Sequence, residues 1–373
     1  MYFYLTIHLC VLLSIFFELG SQNVKKYVLW FWVLFFTCIG GFRWNVGDDW
    51  DQYYYYFENC SLFHIFDTIR YGEDFLEPGF VFLQSISKLI LKEYYIYNIV
   101  LTFFYQFTIV RIIKRYSPKY PILMYAFIMT VTGTASYGAV RAGLAAAIMY
   151  WAYPYIEKRD LKKFLLVVFI GTSIHVLSLV MLPFYWIGKF KFNYLTATIL
   201  YFVVAFGSVY FRNYLLQVPM FLGGNIAYKA ELYANGQTIG FTGSTSYGWF
   251  LYYFLFMLFI YMRQYSKNEY FYNTLLMLFF VLRAIMMTFS EGMGDLTRLS
   301  AGLGPVFPVL MLFTFTKLME SKKGFLVISA IALYVAVNVY NFGKIGAGYY
   351  FENSYVPYKT IFDYNSLGKP MWY

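Results

Sequence analysis

The feature that most constrains this fold is a succession of apolar segments separated by short turns rich in Lys and Arg. A segment of about 20 apolar residues can cross the hydrocarbon core of a bilayer as an α-helix. Only 13% of the 373 residues are charged, and the mean hydropathy is +0.54. Soluble domains carry about 25% charged residues, so a soluble enzyme and a disordered protein are both excluded. The apolar runs do not alternate with polar positions, which excludes an outer-membrane barrel.

We therefore predict an all-α polytopic membrane protein with about 11 to 13 transmembrane or re-entrant helices, folded as a single domain over residues 1–373. Segment 78–91, about 14 residues long, is too short to cross, and we expect it to lie in the interface or to be re-entrant. The predicted spans are 2–19, 27–42, 95–113, 120–136, 139–155, 163–174, 176–188, 194–211, 248–262, 270–289, 300–317 and 324–341.

The placement of Lys and Arg predicts the orientation, because cytoplasmic loops are enriched in these residues. The basic turns, which we place in the cytoplasm, lie at 25–26, 111–119, 157–163, 189–191, 263–267 and 317–323. The opposite face then collects loop 43–77, the Gly- and Tyr-rich loop 212–247, turn 290–298 and the tail 343–373. The alternative orientation, with loop 43–77 inside and the turn at 25–26 outside, remains open at this point.

The first loop contains eight of the chain's 19 acidic residues and follows directly on an apolar span. Its first turn combines the cation Arg43 with the carboxylates Asp48 and Asp49 and with neighbouring aromatic residues. Carboxylates in such a turn can accept a proton or hold a sugar hydroxyl. The alternative interpretation is an ion-paired loop with an interfacial Trp anchor.

Arg141 lies among small residues in Gly-Ala-Val-Arg-Ala-Gly-Leu-Ala. Small residues allow helices to approach closely. An Arg at the outward end of such a helix can bind a phosphate through two parallel hydrogen bonds. Its alternative roles are snorkelling to the interface and pairing with a carboxylate. Glu77, at the start of Glu-Pro-Gly-Phe, is interpreted as an acid that opens a helix and pairs with an arginine.

His175 lies in an apolar stretch with basic turns at both of its ends, so two short helices are expected to meet near this residue. That places His175 at the outward apex, where it can act as a base or as a hydrogen-bond donor. The alternative is a structural histidine on an apolar face.

A second arginine-containing region follows the predicted span 270–289. Turn 290–298 carries Glu291 and Asp295 and ends at Arg298, which opens the next helix and is well placed for an anion. Arg283 lies inside the preceding apolar run, where it can reach a lipid-linked phosphate or pair with Glu291. Arg43, Arg141, Arg283 and Arg298 thus converge on one membrane face, as a multiply charged pyrophosphate requires.

The order of these motifs resembles that of the EpsG-like branch of the Wzy-type O-antigen and exopolysaccharide polymerases. The resemblance spans nearly the whole chain and rests on Arg43-x3-Gly47-Asp48 with Tyr53, Glu77-Pro-Gly-Phe80, Arg141 before an Ala-rich helix, His175-x2-Ser178, Arg298 opening a helix, and Tyr355-Val-Pro-Tyr358.

The resemblance implies a glycosyltransferase-C-like fold in the bacterial inner membrane, with periplasmic loops forming the site. It implies the transfer of a growing glycan from undecaprenyl diphosphate to the non-reducing end of a new lipid-linked repeat unit, with a chain-length regulator as a possible partner and without a cofactor or metal. Arg141 and Arg298 would bind the donor diphosphate, with Arg43 and Arg283 in support. One of Asp48, Asp49 or His175 would be the base. The sugars would be bound by Tyr53, Glu77, Glu291 and Asp295.

Three rival functions fit parts of the sequence. A lipid-linked oligosaccharide flippase should carry cations along a central cavity, whereas here they gather at one face. A glycosyltransferase that uses a polyprenyl-monophosphate sugar would use an acid pair in the first loop, such as Asp48 and Asp49. A membrane O-acyltransferase with His175 as its base would need a further polar group to orient that histidine.

Overall fold

The computed structural model describes residues 2–47, 49–66, 76–132, 140–221, 246–289, 303, 306–321, 329, 332 and 357–363. Within these ranges the chain forms thirteen α-helices and no β-strand, so the prediction of an all-α polytopic membrane protein is confirmed. The helices are α1 (Tyr2–Leu13), α2 (Gln22–Phe42), α3 (Trp50–Asn59), α4 (Pro78–Leu91), α5 (Tyr94–Tyr116), α6 (Pro121–Thr132), α7 (Val140–Met149), α8 (Tyr153–Glu157), α9 (Leu161–Ile174), α10 (Tyr194–Phe221), α11 (Ser246–Met262), α12 (Glu269–Phe289) and α13 (Val306–Glu320).

Among the described helices, three are long and apolar enough to cross a membrane: Gln22–Phe42, Tyr94–Tyr116 and Glu269–Thr288. The other helices are shorter or only partly described. The segment after His175 is a 3-10 helix, Val176–Tyr185, rather than an α-helix. The predicted span 139–155 is divided into α7 and the short α8 by a turn at Tyr150–Ala152, just ahead of Pro154, a residue that favours the first turn of a helix.

Two predicted loops contain helix that the sequence analysis did not anticipate. Helix α10 continues to Phe221, so the first ten residues of the predicted loop 212–247 are helical. Helix α3 lies inside the predicted loop 43–77. Its apolar side chains Trp50, Tyr53 and Phe57 are buried, and they recur at the three- and four-residue spacing of one helix face. The described part of 43–77 is therefore a packed, amphipathic element.

The contacts divide the chain into two compact units. The first comprises Met1–Tyr150, Ser173–His175 and Met311–Tyr373, and the second comprises Trp151–Thr172 and Val176–Leu310. Each unit is described by itself below.

The first unit is built on an antiparallel pair of long helices, α2 and α5. At one end of the pair, Lys25 Nζ donates to the carbonyl of Lys119, and it pairs with Glu18 at 3.1 Å. At the other end, Gly41 packs directly against Ile99, where a Cβ at residue 41 would lie 2.8 Å from the Ile99 Cα. A 21-residue helix is about 32 Å long, which matches the thickness of a bilayer. The connection 43–93 therefore begins and ends at the same end of this pair.

An aromatic cluster supports the end of the first unit at which that connection lies. It joins side chains from five stretches of sequence, and its buried members are Trp44, Trp50, Tyr53, Tyr56, Phe57, Leu76, Phe80, Val81, Tyr94, Tyr97, Val140, Leu144, Ala145 and Ile174. Offset stacking and edge-to-face contacts fix the relative positions of the rings, for example Trp50 against Tyr54 at 5.2 Å and Tyr53 against Phe80 at 5.8 Å. The cluster holds the starts of α3, α4, α5 and α7 together.

The second unit is organised around α12, which packs against α10, α11 and the short turn at Ile187–Lys189. Gly188 permits a close approach, because a Cβ there would lie 2.5 Å from the Tyr270 carbonyl oxygen. The guanidinium of Arg159 lies 4.1 Å from the ring centres of both Tyr185 and Tyr270. This double cation–π contact fixes the turn between α8 and α9.

Candidate functional site

The most distinctive polar group in the first unit is a buried carboxylate with two partners. Glu77 Oε2 lies 3.0 Å from Arg141 Nη1, and its other oxygen, Oε1, lies 3.1 Å from His175 Nδ1. The side chains of Glu77, His175 and Arg141 are 8, 14 and 21% exposed, so the group is largely removed from solvent. These partners lie 64 and 98 residues from Glu77 in the sequence. The fold therefore brings three of the sequence-predicted site residues into direct contact.

The position of Glu77 follows from the start of α4. Glu77 is the extended residue before Pro78, and its carbonyl accepts from the amides of Phe80 and Val81. The helix start is pressed against the end of α9, since a Cβ at Gly79 would lie 2.3 Å from Ser173 Oγ and 2.8 Å from the Ser173 carbonyl oxygen. Glycine at this position lets Glu77 reach His175, two residues beyond Ser173.

His175 lies where α9 ends and the 3-10 helix begins, as the sequence predicts for a break in the apolar stretch. When its Nδ1 carries the proton and donates to Glu77, the neutral ring presents a lone pair on Nε2. Among the described residues, no hydrogen bond is made by that nitrogen. A carboxylate that fixes the tautomer of a histidine in this way is the arrangement of a general base.

Arg141 lies in the first turn of α7, beside the aromatic cluster. Its ion pair with Glu77 uses one of the five donors of a guanidinium. The pair also compensates part of the Arg141 charge. A pyrophosphate bound there therefore requires further cations, and Arg43 is the cation of the first unit that shares a neighbouring crevice with α7.

Arg43 is 4% exposed and donates from Nη1 to the carbonyl of Val46 at 3.0 Å. Within the turn that this hydrogen bond closes, φ is positive at two residues: 49° at Asn45 and 109° at Gly47. Such a backbone is costly for most residues, so the turn must be held by its neighbours. The side-chain amide of Asn45 meets the Asp51 carboxylate at 2.9 Å when it is oriented as a donor.

The C-terminal segment 357–363 also holds this turn. Trp44 N donates to the Lys359 carbonyl at 2.9 Å, and Arg43 forms an isolated antiparallel bridge with Thr360. One residue earlier, Tyr358 Oη donates to the Ile39 carbonyl at 2.6 Å. This segment therefore lies at the same end of α2 as the start of the first loop.

The remaining residues of the first loop are placed as follows. Tyr53 is buried against Phe80, three residues from Glu77. Asp49 lies at the start of α3, half-buried. Burial raises the pKa of Asp51, the carboxylate that faces Asn45. Asp48 lies outside the described residues.

Arg283, in the second unit, is 4% exposed and lies over the face of Tyr252, with its guanidinium carbon 3.6 Å from the ring centre. Among the described residues its charge is met by this ring and not by a carboxylate. Glu291, Asp295 and Arg298 lie outside the described residues, as do most of loop 212–247 and of the tail. Their assignments stay predictions.

Sequence reasoning missed three contributors to the site. Ser173 and Gly79 form the contact that sets the distance from Glu77 to His175. Asn98, 3% exposed on α5, lies beside Arg43 in the same crevice. For α3 the sequence does contain a signal, because its apolar positions follow a helical period.

The fold and this site define a polytopic α-helical membrane protein with a buried carboxylate that links a histidine to an arginine. The family model described as the EpsG family matches residues 26–360, which is nearly the whole chain. The chain therefore belongs to the EpsG family, in agreement with the resemblance found in the sequence, and this membership indicates a polysaccharide polymerase. No curated protein and no solved structure matches the chain. The glycosyltransferase-C-like fold thus stays a prediction.

Proposed function

We propose that this protein is a glycosyltransferase of the bacterial inner membrane that polymerises undecaprenyl-diphosphate-linked repeat units into O-antigen or exopolysaccharide at the periplasmic face. It transfers the growing chain to the non-reducing end of a new repeat unit. The observation that carries the proposal is the pair of contacts made by Glu77, to His175 at 3.1 Å and to Arg141 at 3.0 Å. They join a candidate base to a candidate phosphate ligand, the two groups that this transfer requires.

The proposed step is a displacement at the anomeric carbon of the donor chain. Nε2 of His175 takes the proton of the acceptor hydroxyl while the oxygen of that hydroxyl forms the new bond to the anomeric carbon. The bond from that carbon to the diphosphate breaks, and the electron pair leaves with the diphosphate. Glu77 stabilises the imidazolium that forms, because its carboxylate is held against Nδ1.

The arginines act on the leaving group. A diphosphate is already a good leaving group, so it needs little protonation by an acid. Its negative charge must nevertheless be bound and neutralised by cations. In this proposal Arg141 binds the donor diphosphate, with Arg43 in support. His175 is favoured over Asp49 as the base, since the fold gives His175 an orienting carboxylate in Glu77.

The test is reconstitution of the purified protein in proteoliposomes with a purified lipid-linked repeat unit as the sole substrate. A ladder of lipid-linked products that differ by one repeat unit supports the proposal. Movement of intact substrate across the bilayer without a ladder would instead indicate a flippase. No ladder in this reaction, together with the addition of single sugars in a parallel reaction supplied with a polyprenyl-monophosphate sugar, would indicate the other class of transferase.

A further inference from the structure

The C-terminal segment 357–363 packs on the turn that carries Arg43. Tyr358 Oη donates to the Ile39 carbonyl at 2.6 Å, in the last turn of α2 and four residues before Arg43. The backbone of the segment then pairs with Arg43 itself through Thr360. Tyr358 and Ile39 are 319 residues apart in the sequence, so a distant part of the chain holds the backbone that carries the Arg43 side chain.

The segment has its own internal contacts and a second anchor on α1. Asp363 closes a short turn, because its Oδ2 accepts from Thr360 N at 2.8 Å and from Thr360 Oγ1 at 2.9 Å. The ring of Tyr358 stacks on Phe3 with 4.7 Å between the ring centres, and it meets the buried Tyr4 edge to face. The Tyr358 hydroxyl is therefore held against α2 by contacts on two sides of its side chain.

Arg43 needs such support because its turn is strained. Asn45 has a φ of 49°, a value that costs free energy for a residue other than glycine. Arg43 is 4% exposed, and its Nη1 donates to the carbonyl of Val46 inside the same turn. The direction of the guanidinium therefore changes when the backbone of the turn relaxes. A contact that holds this backbone also sets the direction of the Arg43 side chain.

We propose that segment 357–363 is a positioning element of the candidate site, and that the Tyr358 hydroxyl directs Arg43 toward the donor diphosphate. The inference rests on the proposed function, in which Arg43 supports Arg141 in binding that group. Tyr358 binds no substrate in this proposal and acts through Arg43. Its loss therefore weakens the binding of the donor and leaves the proton transfer to His175 intact.

The first test compares Tyr358→Phe with the unmodified protein in the ladder assay, at a series of concentrations of the lipid-linked repeat unit. The substitution removes the hydroxyl but retains the ring that stacks on Phe3. The apparent KM should rise about fivefold, the effect of one lost hydrogen bond, while kcat stays within about twofold, because the diphosphate is bound before and during the reaction. Tyr270→Phe is the matched control, since it removes the same kind of bond, from Tyr270 Oη to the Tyr185 carbonyl at 2.7 Å in the second unit. An apparent KM equal to that of the control overturns the proposal.

A second substitution shows whether Tyr358 acts through Arg43. Arg43→Lys retains the charge but loses the planar guanidinium, and it should raise the apparent KM by itself. Adding Tyr358→Phe to this variant should raise the KM by less than about twofold more, because the two residues act as one unit. A further rise of about fivefold would mean that Tyr358 acts independently of Arg43, which contradicts the proposal.

Hydrogen exchange tests the support of the turn without any substrate. Trp44 N donates to the Lys359 carbonyl, so in the full-length protein in detergent the exchange of peptides that contain Trp44 reports on this contact. Tyr358→Phe should speed this exchange about tenfold relative to peptides from the middle of α2. Asp363→Ala, at an exposed side chain, opens the turn of the segment and provides the same test if Tyr358→Phe does not fold. Unchanged exchange in the folded variant would rule out the positioning role.

The two proposals fail in different ways. An unmodified protein that forms no ladder refutes the proposed function, and with it the role given to Arg43. A protein that forms a ladder, but in which Tyr358→Phe changes neither the KM nor the exchange at Trp44, retains the function and loses the positioning role.

Discussion

Glu77 holds two side chains of different chemistry, because each of its carboxylate oxygens has its own partner. Largely buried ion pairs contribute little net stability, since the cost of removing two charges from water offsets much of their attraction. Breaking such a pair is nevertheless costly, because it leaves one charge uncompensated. The arrangement therefore has the character of a functional group rather than of a stabilising device. A comparison of stability with activity in the same variants tests this distinction.

The first prediction concerns the pair Glu77–Arg141. Glu77→Gln leaves a mostly buried guanidinium without its counter-ion, and we expect a loss of about 3 kcal/mol in unfolding free energy. Adding Arg141→Gln should restore most of the stability while polymerisation stays lost, as measured by thermal unfolding in detergent and by the ladder assay. Glu269→Gln, which breaks the exposed Lys191–Glu269 pair, is the matched control and is expected to leave the unfolding temperature almost unchanged. If the double variant is active, neither Glu77 nor Arg141 takes part in the reaction.

The second prediction concerns the base. His175→Ala should lower the initial rate of linkage formation about 10²- to 10⁴-fold with little change in protein level, because a general base contributes that much. His8→Ala is the control, since His8 is also a partly buried histidine, bonded through Nδ1 to the Tyr4 carbonyl. A His175→Ala protein that produces a ladder at the rate of His8→Ala would contradict the assignment.

The sequence indicated these residues but could not pair them. The sequence predicts that Glu77 pairs with an arginine, and it leaves His175 open as a base, a hydrogen-bond donor or a structural residue. The identity of the arginine depends on how α4 and α7 pack, and the contact between Glu77 and His175 depends on the end of α9. Contacts across 64 and 98 residues are set by tertiary packing, on which local pattern carries no information.

At the scale of helices, the distance from Glu77 to His175 depends on how closely α4 approaches α9. Residues that permit that approach act on the site without touching a substrate. Gly79 is such a residue, because its missing side chain makes room for Ser173.

The third prediction follows from this contact. In Gly79→Ala the new Cβ would lie 2.8 Å from the Ser173 carbonyl oxygen, which no side-chain rotation can relieve, so α4 must move. A displacement of about 1 Å at a catalytic site can cost about 100-fold in rate, and we expect a loss of this order in the ladder assay. Gly20→Ala is the control, because its nearest neighbours are 3.1 to 3.2 Å away and it lies outside the site. Equal rates in the two variants would mean that the approach of α4 does not position Glu77.

Helix α3 shows what the sequence could and could not predict at this scale. The long apolar runs predicted α2, α5 and α12 within a few residues, because spans of this length have no other stable conformation in a bilayer. Four of the ten residues of helix α3 are polar, and only the spacing of its apolar residues distinguishes it from a loop. Its burial depends on the aromatic cluster, which no local pattern specifies.

For the molecule as a whole, the sidedness of the loops follows from the two long helices of the first unit. Because α2 and α5 are antiparallel, the basic residues at Lys25 and Lys119 share one end, and Arg43 shares the other with Thr360. The charge pattern predicts which end faces the cytoplasm, and the fold determines which segments must lie together. Segment 357–363 and the start of the first loop are therefore on the same side in either orientation.

The fourth prediction tests both statements with a membrane-impermeant maleimide, after the native Cys10, Cys38 and Cys60 have been replaced. Gln52→Cys, in the first loop, and Phe362→Cys, 77% exposed in the tail, should both react from the periplasmic side, and Lys119→Cys should react only when the cytoplasmic side is opened. If Gln52→Cys and Phe362→Cys react from different sides, the pairing of the tail with the first loop is wrong. If both react only from the cytoplasm, the pairing stands but the proposed polymerisation fails, because the candidate base would then face away from the periplasm.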